Sequence, residues 1–427
     1  MDVLVLGSGG REHAIVSSLA ASPRRGIIYV APGNGGSAPG AVNVDLDIND
    51  ATAVVDYARR NEVELVVIGP EAPLVAGVAD AVRAAGILCF GPGARGAQME
   101  GSKQFSKEFM QRHNIPTAAF GSFTSADAAY EYLEQVGAPI VVKADGLAAG
   151  KGVTVAEDLE QARQAVQECF AGRFGDAGAR VVIEECMSGP ECSLLVFTDG
   201  HHVLPMAPAQ DHKRAYDGDT GPNTGGMGVY SPVPIVTDDE YATMLTLMEQ
   251  TVAGLAADGI DYRGVLYGGF MLTADGPKVL EFNARFGDPE TQVILPRLRS
   301  DLLDVMVAVA RGDVGHIELV WRDDWAVSVV LASEGYPGDY RKGLPISGIA
   351  DAAALCGVTV YHAGTRRLAD GTVLTNGGRV LNVTALGSSF EQAQSKAYQA
   401  VELIDFEGKQ YRTDIGARAL RGRAAWS

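Results

Sequence analysis

Four short apolar runs near the start of the chain, Asp2 to Leu6, Ile27 to Val30, Leu65 to Ile68 and Ile87 to Phe90, each lead into a loop dominated by glycine or proline. Helical stretches such as Ala51 to Arg60 and Gly77 to Ala85 lie among them. Strands alternating with helices in this way predict a parallel sheet wrapped by helices, an α/β arrangement. Ligands of such sheets sit beyond the carboxyl ends of the strands, where these loops fall. The first loop, Gly7-Ser8-Gly9-Gly10, turns a strand into a helix beginning near Arg11, and the bare N–H groups of a helix start suit a phosphate. A dinucleotide fingerprint would place a third glycine at Glu12 and an acidic residue after the second strand. That strand runs instead into Ala-Pro-Gly-Asn-Gly-Gly at 31 to 36. A single phosphate fits better than a dinucleotide, and glycines needed only for the turn are the plainer alternative. Glu71, the acidic residue of these loops, suits a ribose hydroxyl, an amine or plain solvent.

A second constraint is Lys278 to Gln292, KVLEFNARFGDPETQ. Val279, Leu280 and Phe282 start it as a strand, and on a strand Glu281 and Asn283 leave the same face. A carboxylate and an amide oxygen brought to one point suit Mg2+, which usually completes its shell with water and substrate phosphates. Arg285, Asp288 and Glu290 follow at once, and a cation beside a metal is a common way to hold a transferring phosphoryl group. The rival reading is a strand end followed by a solvated charged loop.

Between these segments the chain carries several polar loops. Gly101-Ser102-Lys103 opens a helix, with Ser102 as N-cap and Lys103 set against the helix dipole, a local cost that a bound phosphate would offset. Pro139 to Lys143 is a strand ending in a lysine, and Ala144 to Val153, ADGLAAGKGV, reads as a phosphate-covering flap or a plain hairpin. It is not a P-loop, since neither Ser nor Thr follows Lys151. Val181 to Met187 is a strand with acids at its end, leading through Gly189 and Pro190 to Glu191. Asp211 to Gly228 is polar and glycine-rich, as substrate loops are, with His212 expected to face solvent. Pro296 to Arg311 reads as one helix closed by Gly312. From Trp325 onward β-rich runs predominate, and a lid or packing role is the default for that unit.

A chain of 427 residues accommodates two to four domains at about 100 to 200 residues each. The formal charge of -18 argues against nucleic acid or an anionic membrane surface as the main partner. Five cysteines without metal-ligand or CxxC spacing fit a reducing compartment. No basic segment precedes the first apolar run and no long apolar span follows, so a cytoplasmic protein without export or membrane insertion is expected.

The motifs GSGGREHA, GSK, VVKADGLAAGKGV, QDHKR, TGPNTGGMG and EFNARFGDPETQ resemble the phosphoribosylamine-glycine ligase family, also called glycinamide ribonucleotide synthetases, of the ATP-grasp superfamily. The resemblance runs in order and spacing from residue 1 to about 420. It implies a Rossmann-like parallel-sheet domain preceding the ATP-grasp unit at 1–101, a two-lobed ATP-grasp domain at 102–324 with a mobile flap-bearing lobe at about 121–192, and a C-terminal β-rich domain at 325–427. It also implies ATP, glycine and 5-phosphoribosylamine as substrates, Mg2+ or Mn2+ as cofactor, and a monomer or weak homodimer. Residue by residue, Lys103, Lys143 and the flap's Gly150 are expected at the ATP phosphates, and Glu184, Cys186 and Glu191 around adenine and ribose. Glu281 and Asn283 are expected to bind the metal. Arg285 would stabilise the transferred phosphoryl group, and Asp211 and Asp288 would hold the glycine ammonium or the incoming amine. Gly9, Gly10, Arg11, Asn34 and Glu71 would seat the phosphoribosyl part, with Lys213 also touching substrate.

The implied chemistry explains these residue types. A glycine carboxylate is a poor electrophile, so it first takes the γ-phosphoryl group. The resulting acyl phosphate must then be kept from water until the amine attacks. One departure stands out: the strand before the Glu-x-Asn strand, GVLYGGFML at 264 to 272, lacks the further metal carboxylate that many ATP-grasp enzymes carry there. Two rivals remain at this level, a different ATP-grasp carboxylate-amine ligase and a non-catalytic nucleotide-binding regulator.

Overall fold

Five short strands, β1 (Val3–Gly7), β2 (Ile28–Pro32), β3 (Ala41–Asn43), β4 (Leu65–Ile68) and β5 (Leu88–Phe90), pair in parallel in the order β3-β2-β1-β4-β5. β1 and β4 are buried along their whole length, as strands covered on both faces must be. The order reverses at β1, which brings the Gly7 to Gly10 loop beside the Gly69 to Glu71 loop at the carboxyl ends. The computed structural model describes residues 1–36, 40–147, 152–173 and 175–421.

A second sheet, β6 (Phe120–Phe123), β7 (Ile140–Ala144), β8 (Val153–Ala156) and β9 (Val181–Glu185), has the order β6-β9-β7-β8. Two helices, Ala126–Val136 and Leu159–Phe170, cover one face and close a small core of their own around Leu133, Val142, Val166 and Ile183. Each begins at a side-chain cap, Ser125 and Asp158 accepting N–H groups of the first turn. This lobe therefore carries its own apolar core, separate from the larger ones.

The next strands are β10 (Glu191–Thr198), β11 (Val203–Pro205), β12 (Gln210–Asp211), β13 (Arg214–Tyr216), β14 (Thr220–Asn223), β15 (Gly228–Ser231), β16 (Gly264–Thr273) and β17 (Gly276–Asn283). β11-β10-β16-β17 form an antiparallel sheet, with a register shift between Gly269 and Phe270 of β16 where it meets β17. The last part adds β18 (Trp325–Ser333), β19 (Pro345–Ile346), β20 (Val358–His362), β21 (Thr365–Arg367), β22 (Val373–Thr375) and β23 (Arg379–Gly387). Its main sheet runs β12-β15-β18-β23-β20, so two strands from the middle of the chain complete a sheet built largely from the end. The expected single helix from Pro296 is broken. Leu295–Arg297 is a 3-10 turn, and the helix proper is Leu302–Arg311, capped by Asp301 accepting from the Leu303 N–H and closed by Gly312 at φ 78°. A cap at Asp301 gives the helix a fresh start, and Pro296, which lacks an N–H, fits the preceding turn. No helix among the described residues is long and apolar enough to cross a membrane.

Two histidines join the first sheet's helix Gly10–Ala20 to β20. The His362 N–H donates to His13 Nδ1 at 2.7 Å, and the rings lie 5.5 Å apart. Burial holds His13 down to about 4 and His362 to about 3, below the ordinary 6.5. The unfolded chain takes up these protons below its ordinary histidine value and the folded chain does not. Stability is thus full above that value and falls as pH drops from 6.5 toward 4, by about 1.4 kcal/mol per pH unit for each histidine. Denaturant midpoints at pH 7 and pH 5 should differ accordingly, and His362→Gln should flatten the difference; an equal slope in that variant would remove these histidines as the cause.

Candidate active site

The centre of the cleft is the end of β17. Phe282 is 3% exposed and packs inward, which turns its alternate neighbours Glu281 and Asn283 to the other face. Opposite Glu281 stands Gly269 of β16, where a Cβ would lie 3.4 Å from Glu281 Cγ. The glycine leaves the space above the carboxylate open. Beyond Asn283 the chain turns, and Phe286, 2% exposed, anchors the turn between Phe90 and Phe197 at ring distances of 6.0 and 5.7 Å.

The Glu281 side chain makes no hydrogen bond or ion pair with another described residue. Its surroundings are crowded, yet the side chain stays open to solvent. Crowding works against its ionisation, but the summed fields of Lys213, Lys143, Lys103 and Arg285 win and hold the carboxyl below the usual glutamate range. Four of the residues read from sequence thus converge on a fifth. An ionised oxygen ligand without a protein partner fits a divalent cation. Among the described residues no three His, Cys, Asp or Glu side chains gather as a cage.

On the flap-lobe side, Lys143 Nζ lies 2.8 Å from Glu184 Oε2, and Lys107 Nζ reaches the same oxygen at 3.1 Å. Lys107 also donates to Thr117 Oγ1 at 2.7 Å, and burial lowers it to about 8 despite the neighbouring Glu184. The dipole conflict at Lys103 is answered by Asp145, whose Oδ1 accepts the Lys103 and Gln104 N–H groups at 2.6 and 3.2 Å. Lys103 Nζ meanwhile donates to the Gly146 carbonyl at 2.9 Å. Cys186 is half-buried at the end of β9, where burial, then Glu157 and Glu185, push its thiol up. Gly150 and Lys151 lie outside the described residues.

On the opposite side, Arg285 spans two carboxylates: Nη2 lies 2.7 Å from Glu100 Oε1 and Nε lies 3.4 Å from Glu71 Oε2. Burial raises the Glu100 carboxyl even against Arg285, whereas at Glu71 the fields of Arg285 and Arg11 overcome burial and lower it. Asp288 accepts from Gln292 Nε2 at 2.8 Å and from the Arg11 N–H at 3.4 Å, and it faces Arg379 Nη2 at 3.5 Å. Burial opposes its charge, but Arg379 and Arg11 prevail and lower its pKa. Lys213 binds Asp211 Oδ1 and Oδ2 at 3.0 and 2.8 Å. Nearby, Ser193 and Tyr267 hydroxyls surround Glu290 Oε1 at 3.3 and 3.0 Å, and burial followed by the Asp211 charge raises Glu290. Glu191 is raised by burial against the pull of Lys213.

Gly9 and Gly10 begin their helix within reach of this cluster: a Cβ on Gly10 would meet Asn382 Oδ1 at 2.5 Å and Gln292 Nε2 at 2.6 Å. Arg11 Nε binds Glu12 at 2.5 Å and Nη1 donates to the Phe286 carbonyl at 3.1 Å. Asn34 is engaged with backbone, donating to the Ser8 and His362 carbonyls at 2.9 and 2.8 Å. His212 is corrected: it is 1% exposed, not solvent-facing, because the Gly416 N–H donates to its Nε2 at 3.0 Å. Glu100, Asp145, Lys107 and Arg379 are site residues that the sequence does not single out. Arg379 comes from the unit expected only to pack or cover.

Comparisons with known proteins agree across the chain. Family models described as the N, ATP-grasp (A) and C domains of phosphoribosylglycinamide synthetase match residues 1–100, 101–291 and 326–418. The chain belongs to the phosphoribosylglycinamide synthetase family. Relatives named phosphoribosylamine-glycine ligase include one from Brucella melitensis, 51% identical over 100% of both chains, and one from Allochromatium vinosum, 54% identical over 98% of this chain and 99% of the relative. A crystal structure of the Thermotoga maritima phosphoribosylamine-glycine ligase superposes with TM-score 0.86 at 34% identity, covering 97% of this chain and all of that one. The biotin carboxylase domain of the Hydrogenobacter thermophilus 2-oxoglutarate carboxylase shares the fold at TM-score 0.75 and 17% identity, over 96% of this chain and 91% of that one. For this synthetase the ATP-grasp model spans 101–291, which encloses the cleft from Lys103 to Asp288.

Proposed function

We propose that the chain is an ATP-dependent ligase joining glycine to 5-phospho-D-ribosylamine, giving glycinamide ribonucleotide, ADP and phosphate in purine biosynthesis, with glycyl phosphate as intermediate. The family and the relatives' names support the reaction. The observation that carries the residue assignment is the convergence of Lys103, Lys143, Lys213 and Arg285 on the unpartnered Glu281 carboxylate. Glu281 and Asn283 would hold Mg2+ or Mn2+, which when bound neutralises phosphate charge. Lys103 and Lys143 bind the phosphates, with Gly150 in the covering flap. Glu184, Cys186 and Glu191 line the adenosine end. Arg285 faces the transferred phosphoryl group, and its carboxylate partners fix its orientation. Asp211, Lys213 and Asp288 orient glycine and the incoming amine. Gly9, Gly10, Arg11, Asn34 and Glu71 seat the phosphoribosyl part. The domain limits at 101 and 324, the cytoplasmic setting and a monomeric or weakly dimeric state belong to the same proposal.

Omission of glycine, phosphoribosylamine or ATP, one at a time, should stop ADP release; ADP release that ignores glycine would reject the reaction. Lys143→Met should lower kcat/KM for ATP by about 10²-fold. Lys107 still pairs with Glu184 in that variant, so the melting temperature should stay close to the parent's. Unchanged ATP kinetics would remove Lys143 from the phosphate site.

A further inference from the structure

The end of the chain is tied into the polar loop that carries Asp211 and Lys213. Arg412 is 1% exposed at its side chain. It donates Nη1 to Asp219 Oδ1 at 3.0 Å and to the Arg214 carbonyl at 3.1 Å, while Nε and Nη2 hold Asp414 at 2.7 and 2.8 Å. The Thr413 N–H donates to Asp217 Oδ1 at 2.8 Å, and Asp414 accepts the Gly218 N–H at 2.9 Å. Gly416 reaches His212 itself, between Asp211 and Lys213. The segment is held from behind by Tyr398, whose hydroxyl donates to the Arg412 carbonyl at 2.8 Å and accepts the Ile415 N–H at 3.0 Å. Asp211 is held in β12 by its pairing with β15, but beyond it the loop is two short strands, β13 and β14, with a register shift, too small a unit to hold a fixed position by itself.

We infer that Arg412 to Gly416 is a clasp that positions the glycine-facing loop, with Arg412 as its positioning residue. Arg412 touches no reacting atom. It fixes the backbone at Arg214, one residue from Lys213, and its planar fork serves two carboxylates and a carbonyl at once, which a lysine ammonium does not reproduce. The inference rests on the reading that Asp211 and Lys213 face glycine.

The test compares Arg412→Gln, Arg412→Lys and Asp217→Asn with the parent for glycine KM, kcat, ADP affinity without glycine, and melting temperature. Arg412→Gln should raise glycine KM by about tenfold or more with ADP affinity unchanged, and Arg412→Lys should not restore it. Asp217→Asn, at an exposed contact, should fold normally and give a smaller shift in the same direction, about threefold. A lower melting temperature or kcat with unchanged glycine KM in these variants would reduce the segment to a stabilising role and overturn the inference. Asp211→Asn separates the two ideas. If it leaves glycine KM unchanged, the glycine reading fails and takes the clasp with it; if it raises glycine KM while the clasp variants do not, only the clasp fails.

Discussion

Glu281→Ala should abolish turnover, with kcat falling by about 10²-fold to 10³-fold or more, while the fold is kept. The side chain makes no hydrogen bond or ion pair with another described residue, so its removal breaks no direct contact and forfeits only the longer-range attraction of the surrounding cations. What it deletes is the negative charge at the meeting point of Lys213, Lys143, Lys103 and Arg285. Nucleotide should still bind, because those cations remain and attract phosphates more strongly when the carboxylate is gone. The sharp reading is therefore a split: ADP or an ATP analogue retains affinity without added metal, and the gain in affinity on adding Mg2+ is lost. Near-normal activity in the variant would refute the metal assignment, and lost nucleotide binding with intact folding would show that Glu281 acts on something else.

Arg285→Met should lose activity and stability together, for different reasons. The guanidinium is wedged between Glu100 at 2.7 Å and Glu71 at 3.4 Å, and the Glu100 side chain is only 8% exposed. Removing the cation leaves a buried carboxyl without its partner, which costs about 3 to 5 kcal/mol. Glu100, already raised by burial, would move further toward its neutral form. The pair Arg285→Met with Glu100→Gln takes away the unpaired charge and should recover most of the lost stability. Activity should stay at the level of the single variant, because the guanidinium that faces the transferred phosphoryl group is still missing. Recovery of activity in the double variant would make Arg285 a scaffold residue, and an unchanged melting temperature in the single variant would show that the Glu100 contact contributes nothing.

The parts of this site that were legible in the sequence share one physical trait, which is local geometry. Glu281 and Asn283 were readable because strand alternation fixes their common face whatever surrounds them. The loops after β1 and β4 were readable because an alternating strand and helix pattern permits few sheet topologies. Glu100 was not readable, since it lies on the helix Ala94–Gly101 and meets Arg285 across 185 positions. Arg379 was hidden in the same way, reaching Asp288 from a β-rich unit whose apolar pattern advertised packing alone. The burial of His212 leaves no trace in its own neighbourhood, because it depends on a segment 204 positions later folding over it. Pairing across distance requires the tertiary arrangement, and periodicity carries no record of it.

The mixed parentage of the sheet β12-β15-β18-β23-β20 bears on how the protein can be cut or assembled. A fragment ending before Trp325 would strip β15 of its partner β18 and uncover Val229 and Tyr230, both 0% exposed in the intact chain. Such a raw edge invites self-association. Ribosomal synthesis must therefore finish the late strands before the earlier ones can settle, and splitting the gene at that seam would yield halves that require each other to stay dispersed.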